Sequence, residues 1–159
     1  MKRSVLGIDP GPAKTAWVEL PNSGGIMFGL YDNEELVDYL KGGLVSKDTD
    51  VVIEMIASYG MPVGQTTFET CVFIGRVTQI CLDAGAVVKY AYRKKIVTWL
   101  CGSARAKDAN VRQALIDKYG EQGTKNNRGA TYGISKDVWS ALAVATYYNE
   151  GGYEQDNKL

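Results

Sequence analysis

The first third of the chain consists of short apolar runs separated by turn residues. Segments 4–9, 15–20 and 26–31 are apolar or alternate between apolar and polar residues, and turns that contain Pro or Gly separate them. This pattern predicts three β-strands. Because the connections are short, we expect the three strands to form an antiparallel meander.

The rest of the chain alternates between helical and strand patterns. Segments 50–54 and 85–90 predict two more strands. Five segments predict helices: 32–40, 66–84 with Thr66 or Thr67 as its cap and Glu69 as the capping-box acid, 93–100, 107–119 and 135–149. The order predicts an α/β fold with a mixed five-stranded sheet flanked by helices, in a single domain over residues 1–150. Residues 151–159 are expected to form a flexible tail.

The composition excludes several kinds of chemistry. The chain has 159 residues and no histidine, which removes Ser-His and Cys-His mechanisms and the most common metal ligand. No apolar run approaches the roughly 18 residues of a membrane span. Met1 leads directly into the first strand, so we expect no signal peptide. The three cysteines show no Cys-x-x-Cys spacing, and we expect reduced thiols in the core.

The basic residues are concentrated in one part of the chain. The formal net charge of the whole chain is zero, yet residues 89–136 hold eleven basic residues and only three acids. The eleven are Lys89, Arg93, Lys94, Lys95, Arg105, Lys107, Arg112, Lys118, Lys125, Arg128 and Lys136. A chain divided in this way can present a basic face to a nucleic acid. An ordinary solvated surface is the open alternative.

Three carboxylates occupy unusual positions. Asp9 and Glu54 each end an apolar strand, and Asp137 lies in the first turn of the last helix. Taken singly, each is compatible with a turn or a helix N-terminus. If the first and fourth strands are parallel neighbours, their ends bring Asp9 and Glu54 together at the edge where α/β sheets bind ligands. Oxygen ligands without histidine or thiolate suit Mg²⁺ or Mn²⁺, and two such ions about 3.5–4 Å apart can hydrolyse phosphodiesters.

Motifs in order along the chain resemble those of RuvC-type Holliday-junction resolvases, in the ribonuclease-H-like superfamily. Residues 7–11 (GIDPG) resemble the first-strand motif, and Ile53-Glu54 resembles the second acidic motif. Residues 136–145 (KDVWSALAVA) resemble the last helix, where the family reads Asp-x-x-Asp-Ala-Leu-Ala. Residues 90–95 (YAYRKK) and 102–107 (GSARAK) resemble two basic motifs. The short basic segments are more similar to those of the phage-type branch of the family than to those of the bacterial housekeeping branch.

The resemblance implies a ribonuclease-H-like fold, in which three antiparallel strands and then two parallel strands form the mixed five-stranded sheet. It also implies a homodimeric endonuclease that cuts four-way DNA junctions in recombination and repair. It implies Mg²⁺ or Mn²⁺, with two ions per site, and no membrane partner. It also implies a location in the cytoplasm of a bacterium or of a phage-infected host. By matching motif, the metal ligands are Asp9, Glu54 and Asp137. Lys107 would steady charge in the transition state, and the basic residues in contact with DNA would be Arg93, Lys94, Lys95 and Lys107.

One position departs from the family pattern. Where the family has a second acid three residues beyond Asp137, this chain has Ser140. Positions i and i+3 share a helix face, so Ser140 would point at the same site without a charge. Three alternatives follow: three carboxylates suffice, Ser140 acts through a bound water, or the site is weakened. Ser140 and Lys136 are the candidates for contacts that support the metal ligands. The second metal ion depends on this position.

The loop after the fourth strand carries a further hypothesis. In the family, an apolar side chain from this loop enters the junction, and Tyr59 and Met61 are the candidates here because such side chains can stack on an unpaired base. A packed loop is the alternative.

The helix predicted at 66–84 carries another hypothesis. Phe68, Val72, Gly75 and Gln79 follow one another at close helical spacing, and the small Gly75 would allow a second helix to approach. We expect this helix to form the homodimer contact, with plain core packing as the alternative for its apolar members.

Two other functions remain open. A ribonuclease-H-like nuclease for RNA–DNA hybrids or other branched DNA would use the same acids, because specificity comes from the dimer geometry and the basic surface. A non-catalytic junction-binding protein would explain Ser140 as the mark of a weakened site. The Asp-x-Gly sequence after the first strand also resembles the phosphate loop of actin-like ATPases, but those proteins need a second domain.

Overall fold

The chain folds around one mixed five-stranded sheet. The computed structural model describes residues 2–158. The strands are β1 (Ser4–Asp9), β2 (Lys14–Leu20), β3 (Met27–Asp32), β4 (Thr49–Met55) and β5 (Val87–Tyr92). Their order across the sheet is β3-β2-β1-β4-β5. β1, β2 and β3 pair antiparallel, whereas β1–β4 and β4–β5 are parallel, as the sequence predicts.

Helices cover both faces of this sheet. They are α1 (Asn33–Tyr39), α2 (Gln65–Asp83), α3 (Arg93–Cys101), α4 (Asp108–Tyr119), α5 (Val138–Asn149) and α6 (Gly152–Asp156). A π-helical turn, Leu40–Leu44, follows α1. A short hairpin precedes α5, and its strands β6 (Gly123–Thr124) and β7 (Asn127–Arg128) have two residues each.

Alternation along the strands divides the apolar residues between two cores. Ile8 and Ile53 point to the face that α1 and α2 cover. Val5 and Val52 point to the other face, where they pack with residues of α3, α4 and α5. Because successive strand residues point to opposite faces, Asp9 and Glu54 leave the sheet on the α5 side.

Gly7 allows α5 to pack directly on β1. A Cβ atom at this position would lie 2.5 Å from the carbonyl oxygen of Ala141 and 2.7 Å from the Cβ of Ala145. No side chain fits in so small a space, so glycine is the residue that this helix–strand contact requires. The contact brings the first turn of α5 towards the end of β1, where Asp9 lies.

Several boundaries differ from the sequence prediction. α2 begins at Gln65 with Gly64 at its cap, so the predicted caps Thr66 and Thr67 lie within the helix. The Glu69 carboxylate accepts a hydrogen bond from the Gln65 side chain at 2.6 Å instead of completing a capping box. β5 starts two residues later than predicted, because the chain first turns at Gly85 with φ +83°.

The C-terminal residues form a helix instead of the predicted frayed tail. Gly152 of α6 is buried, and a Cβ atom there would lie 2.6 Å from the ring of Tyr147 and 2.9 Å from that of Trp99. The Tyr147 hydroxyl donates to Asp156 at 2.6 Å. The rings of Tyr148 and Tyr153 lie 5.5 Å apart. These aromatic contacts join α6 to α5 and α3, and a local polarity pattern does not reveal them.

The cysteines are free, but only one of them is a core thiol. Cys81 is buried, Cys101 is partly buried and Cys71 is exposed. The prediction of a core position was wrong for Cys71, because the face of α2 that it occupies points away from the sheet. No helix within residues 2–158 combines the length and the apolar character needed to cross a membrane.

Candidate active site

Asp9 and Glu54 end the two central parallel strands side by side. Ile8 of β1 is paired with Ile53 of β4, so the next residue on each strand is an acid at the same level of the sheet. The side chain of Glu54 is 13% exposed, and the two carboxyl groups hydrogen-bond to each other. The structure thus brings together the two acids that the sequence places at strand ends.

A buried polar network holds the turn that follows Asp9. The hydroxyl of the buried Thr15 donates to the side-chain oxygen of Asn33 at 2.7 Å. The Asn33 amide donates to the carbonyl oxygen of Gly11 at 3.0 Å, and the Gly11 N–H donates to the Thr15 hydroxyl at 3.3 Å. These bonds fix the backbone on the C-terminal side of Asp9.

Burial raises the pKa of both carboxyl groups. For Asp9 the largest cause is desolvation, followed by the charge of Glu54 and the hydrogen bond to it, and together they raise its pKa to about 9. Desolvation also raises the pKa of Glu54, against the hydrogen bond from Asp9 and the positive charge of Arg93. At neutral pH, Asp9 therefore keeps its proton and donates it to the Glu54 carboxylate.

Arg93 connects this pair to a third acid that the sequence analysis missed. Its Nη1 lies 3.8 Å from Glu54 Oε1, and its Nη2 hydrogen-bonds to Asp108 in the first turn of α4. Asp108 lines the same cavity as Asp9 and Glu54, with a volume of about 390 Å³. We name this space the acid cavity. The sequence assigned Arg93 to DNA phosphate, whereas here its guanidinium pairs with carboxylates.

The start of α5 contributes to two adjoining spaces. Ser140 lines the acid cavity, whereas Asp137 does not. Asp137 is exposed and lines a second space, together with Lys136. The charge of Asp137 still raises the pKa of Asp9 and of Glu54, so it lies close enough to act on both. Within residues 2–158, no three His, Cys, Asp or Glu side chains form a group that could hold a metal ion.

The acid cavity nevertheless suits a divalent cation in two respects. Its donors are carboxylate oxygens, which are the ligands that Mg²⁺ and Mn²⁺ prefer. Two partly buried carboxyl groups side by side are costly unless a proton or a cation lies between them, and a cation could replace the proton that Asp9 and Glu54 share. The residues that the structure brings together for such an ion are these two, with Asp137 nearby.

The predicted DNA-binding lysines lie next in sequence to residues of the acid cavity. Lys94 and Lys95 follow Arg93 in the first turn of α3, and Lys107 precedes Asp108. All three lysines are exposed, and none forms a salt bridge within residues 2–158. Their charges are therefore available to a phosphate backbone.

The loop between β4 and α2 exposes apolar side chains. Tyr59 is 62% exposed and lines the acid cavity, and Met61 is 70% exposed. Tyr59 has φ +49°, a left-handed conformation that is uncommon for an aromatic residue and typical of strained functional loops. The alternative of a packed loop does not describe these two side chains.

The outer face of α2 is apolar and makes no core contact. Phe68 and Val72 are 61% and 68% exposed, and a Cβ atom at Gly75 would meet nothing within 4 Å. Gln79 is also exposed. The core-packing alternative is wrong for these residues, since Phe73, Ile74 and Val77 form the buried face of the helix. We name the exposed set Phe68, Val72, Gly75 and Gln79 the α2 outer face.

The sheet order and the helix arrangement are those of the ribonuclease-H-like fold. Among solved structures, the chain is similar to Thermus thermophilus RuvC, with a TM-score of 0.70 at 15% identity over 96% of each chain. It is similar to T. thermophilus RuvC in complex with Holliday junction substrate, with a TM-score of 0.69 at 15% identity over 97% of this chain and 96% of that one. The yeast mitochondrial Holliday junction resolvase gives 0.59 at 10% identity over 98% of this chain and 81% of that one. These similarities confirm the predicted fold.

No family model and no curated protein matches the chain by sequence.

Proposed function

We propose that this protein is a metal-dependent endonuclease that resolves four-way DNA junctions. The observation that carries the proposal is the partly buried pair of Asp9 and Glu54 at the carboxyl ends of neighbouring parallel strands. The pair lies in a fold shared along nearly the whole chain with a protein that has been solved on a Holliday junction. Acids at this edge of the sheet, without a histidine in the chain, favour metal-assisted phosphodiester hydrolysis over nucleophilic catalysis.

The residues around the acid cavity have distinct roles in this proposal. Asp9, Glu54 and Asp137 would hold Mg²⁺ or Mn²⁺, which would activate a water molecule and offset charge on the leaving oxygen. Lys107 would stabilise negative charge on the scissile phosphate. Arg93 neutralises Glu54 before the substrate binds. Ser140 offers a hydroxyl at the position where the family pattern has an acid. The last helix of this chain therefore supplies one carboxylate fewer than that pattern.

Lys94, Lys95 and Lys107 would bind the DNA backbone on the approach to the cavity. Because they carry no intramolecular ion pair within residues 2–158, their charges can be used for phosphates without first breaking a salt bridge. Such contacts give affinity and orientation but not sequence preference.

The α2 outer face would join two copies of the chain. Phe68 and Val72 present apolar surface to solvent, and Gly75 leaves room for a second helix. A homodimer would supply two acid cavities, one for each of two opposed strands of a symmetric junction.

Tyr59 would enter the junction centre beside the cavity, because it is exposed, lines the acid cavity and is held in a strained loop. A junction with 2-aminopurine next to the crossover tests this role. Its fluorescence should rise when wild-type protein binds and should not rise with Tyr59→Ala, while Val63→Ala, at an exposed position of the same loop, serves as the matched control. An equal rise with wild type and Tyr59→Ala would contradict the role.

A substrate panel separates the junction nuclease from the other functions. End-labelled four-way junction, linear duplex and RNA–DNA hybrid are compared with Mg²⁺, with Mn²⁺ and with chelator. Preferential metal-dependent nicking of the junction supports the proposal, and preferential cleavage of the hybrid would contradict it in favour of a ribonuclease H. Tight junction binding without cleavage under either metal would show a non-catalytic junction binder.

A further inference from the structure

A second groove adjoins the acid cavity. It has a volume of about 610 Å³, and Asp108 and Ser140 line both spaces. Ligand sites of roughly 300–1,000 Å³ accept molecules the size of a nucleotide. A DNA strand with one phosphate at Asp9 and Glu54 would therefore continue into this space with its next nucleotide. We name it the flanking groove.

Two cations line the flanking groove. Arg112 lies one helical turn beyond Asp108 on α4, and Lys136 directly precedes Asp137. Neither cation forms a salt bridge in the part of the chain that the structure describes. Charged donors without an anionic partner, beside a space of this size, are suited to a phosphate group.

The guanidinium of Arg112 is held in place by two contacts. Its central carbon lies 5.7 Å from the ring centroid of Trp139, and its Nη2 donates to the Gln122 side-chain oxygen at 3.1 Å. The Gln122 amide in turn donates to the carbonyl oxygens of Thr131, at 3.1 Å, and Ile134, at 2.8 Å. The cation is thus positioned before a ligand arrives, which reduces the entropy lost on binding.

Lys136 lies at a backbone position with a strained, left-handed conformation. Its φ of +50° is one of two left-handed values at residues other than glycine within residues 2–158, and the other is at Tyr59 in the acid cavity. Strain of this kind persists where the surrounding structure imposes it, and it is concentrated at ligand sites. Both strained residues therefore line spaces that a DNA strand would occupy.

We propose that the flanking groove binds the nucleotide next to the scissile phosphate, and that Arg112 and Lys136 contact the phosphate of that nucleotide. The inference rests on the proposed nuclease function, which places the DNA strand at the acid cavity. Asp108 and Asp137 also line the groove, and the two cations offset the repulsion between these acids and the DNA backbone.

The dependence of junction affinity on salt gives the first test. Binding is measured by fluorescence anisotropy in Ca²⁺ for wild type, Arg112→Gln and Lys136→Gln. Each substitution should lower the slope of log affinity against log salt by about 1, because one phosphate contact is lost. Lys2→Gln, at the opposite end of β1, is the matched control and should leave the slope unchanged. Arg112→Lys, which keeps the charge and gives up the contacts with Trp139 and Gln122, should also keep the slope. An unchanged slope in both Gln variants would overturn the inference.

A neutral linkage locates the contact on the strand. Single methylphosphonates are placed at successive positions around the cut, or around the junction centre. For wild type, one position adjacent to the cut should weaken binding. For Arg112→Gln the penalty at the same linkage should be smaller, and for the double variant Arg112→Gln/Lys136→Gln that linkage should have no further effect. A penalty of equal size in both proteins at every position would also overturn the inference.

These readouts do not depend on cleavage. If the wild type never cleaves but the Arg112→Gln slope falls and the methylphosphonate penalty is smaller in that variant, the flanking groove binds DNA and the nuclease proposal fails. If the wild type cleaves and the Arg112→Gln slope and penalties match its own, the nuclease proposal holds and the flanking-groove inference is wrong.

Discussion

Gly7 of β1 and Ala145 of α5 lie so close that a Cβ atom on Gly7 would be 2.7 Å from the Cβ of Ala145. The same atom would lie 2.5 Å from the carbonyl oxygen of Ala141, which is backbone and cannot rotate away. The absence of a methyl group at Gly7 therefore lets α5 pack against β1. This contact positions Asp137 and Ser140 relative to Asp9.

The substitution Gly7→Ala should destabilise the protein by about 2 kcal/mol, because α5 must move away from β1 to relieve the overlap. The urea midpoint measures the loss. Gly42→Ala is the control, since a Cβ atom at Gly42 meets nothing within 4 Å, and it should change the midpoint little. A Gly7→Ala protein as stable as wild type would show that the contact between α5 and β1 is looser than described.

The pKa of Asp9 predicts how stability depends on pH in chelator. Its folded-state pKa is about 9 and its ordinary value is 3.8, so the folded protein holds the proton more tightly than the unfolded chain. The stabilisation from that proton is complete below the unfolded pKa and is lost as pH rises through the window up to the folded pKa. Asp9→Asn, which mimics the protonated acid, should therefore raise the melting temperature near pH 8 by on the order of 5 °C.

The same comparison near pH 4 should show little difference between Asp9→Asn and wild type, since the unfolded chain, whose Asp9 pKa is near 3.8, then also holds much of the proton that the folded protein keeps. Adding Mg²⁺ near pH 8 should raise the melting temperature of wild type and leave that of Asp9→Asn nearly unchanged. Parallel pH profiles for the two proteins in chelator would contradict the description of the acid pair.

Arg93 contributes to stability through the buried Glu54 more than through the exposed Asp108. Arg93→Gln leaves Glu54 without its cation and should lower the free energy of unfolding by about 1 kcal/mol near pH 8 in chelator, a value reduced by solvent screening of the partly exposed guanidinium. Asp108→Asn should change stability little, because that carboxylate is 92% exposed. Equal losses in urea unfolding would show that the Arg93–Asp108 pair is the stabilising one.

The α2 outer face predicts a dimer that one substitution breaks. Gly75→Leu has room within the monomer, so the chain should stay folded by circular dichroism while the dimer dissociation constant rises about tenfold or more. Gly42→Leu, also at an open position, should leave the association unchanged. Sedimentation velocity at micromolar concentration gives both results, and a strictly monomeric wild type would end the dimer proposal.

The sequence was sufficient for the sheet and for the central acid pair. Apolar runs at 4–9 and 50–54 predict two strands that end in acids, and the structure shows the parallel pairing on which the meeting of Asp9 and Glu54 depends. The last helix and its face with Ser140 also follow from spacing alone. The strands, the helix and the acids depend on patterns that are local in the chain, whereas the pairing of β1 with β4 joins distant segments.

The parts that could not be predicted depend on tertiary packing. Asp108 enters the acid cavity because α3 and α4 pack together and Arg93 lies between Glu54 and Asp108, which no local pattern encodes. Asp137 has the expected motif but lines the flanking groove, and the residue before it, Lys136, has a left-handed backbone that no sequence pattern reveals. Exposure of Cys71 depends on which face of α2 meets the sheet.

The most direct test of the central claim is the strand-by-strand mapping of nicks in a labelled four-way junction. Wild type with Mg²⁺ should produce paired nicks in two opposed strands, and chelator should abolish them. Asp9→Asn should bind the junction as tightly but cut it about 100-fold more slowly or not at all, because one ligand of the acid pair is lost. If wild type binds the junction and produces no metal-dependent nicks, or if Asp9→Asn cuts as fast as wild type, the acid cavity is not a nuclease site.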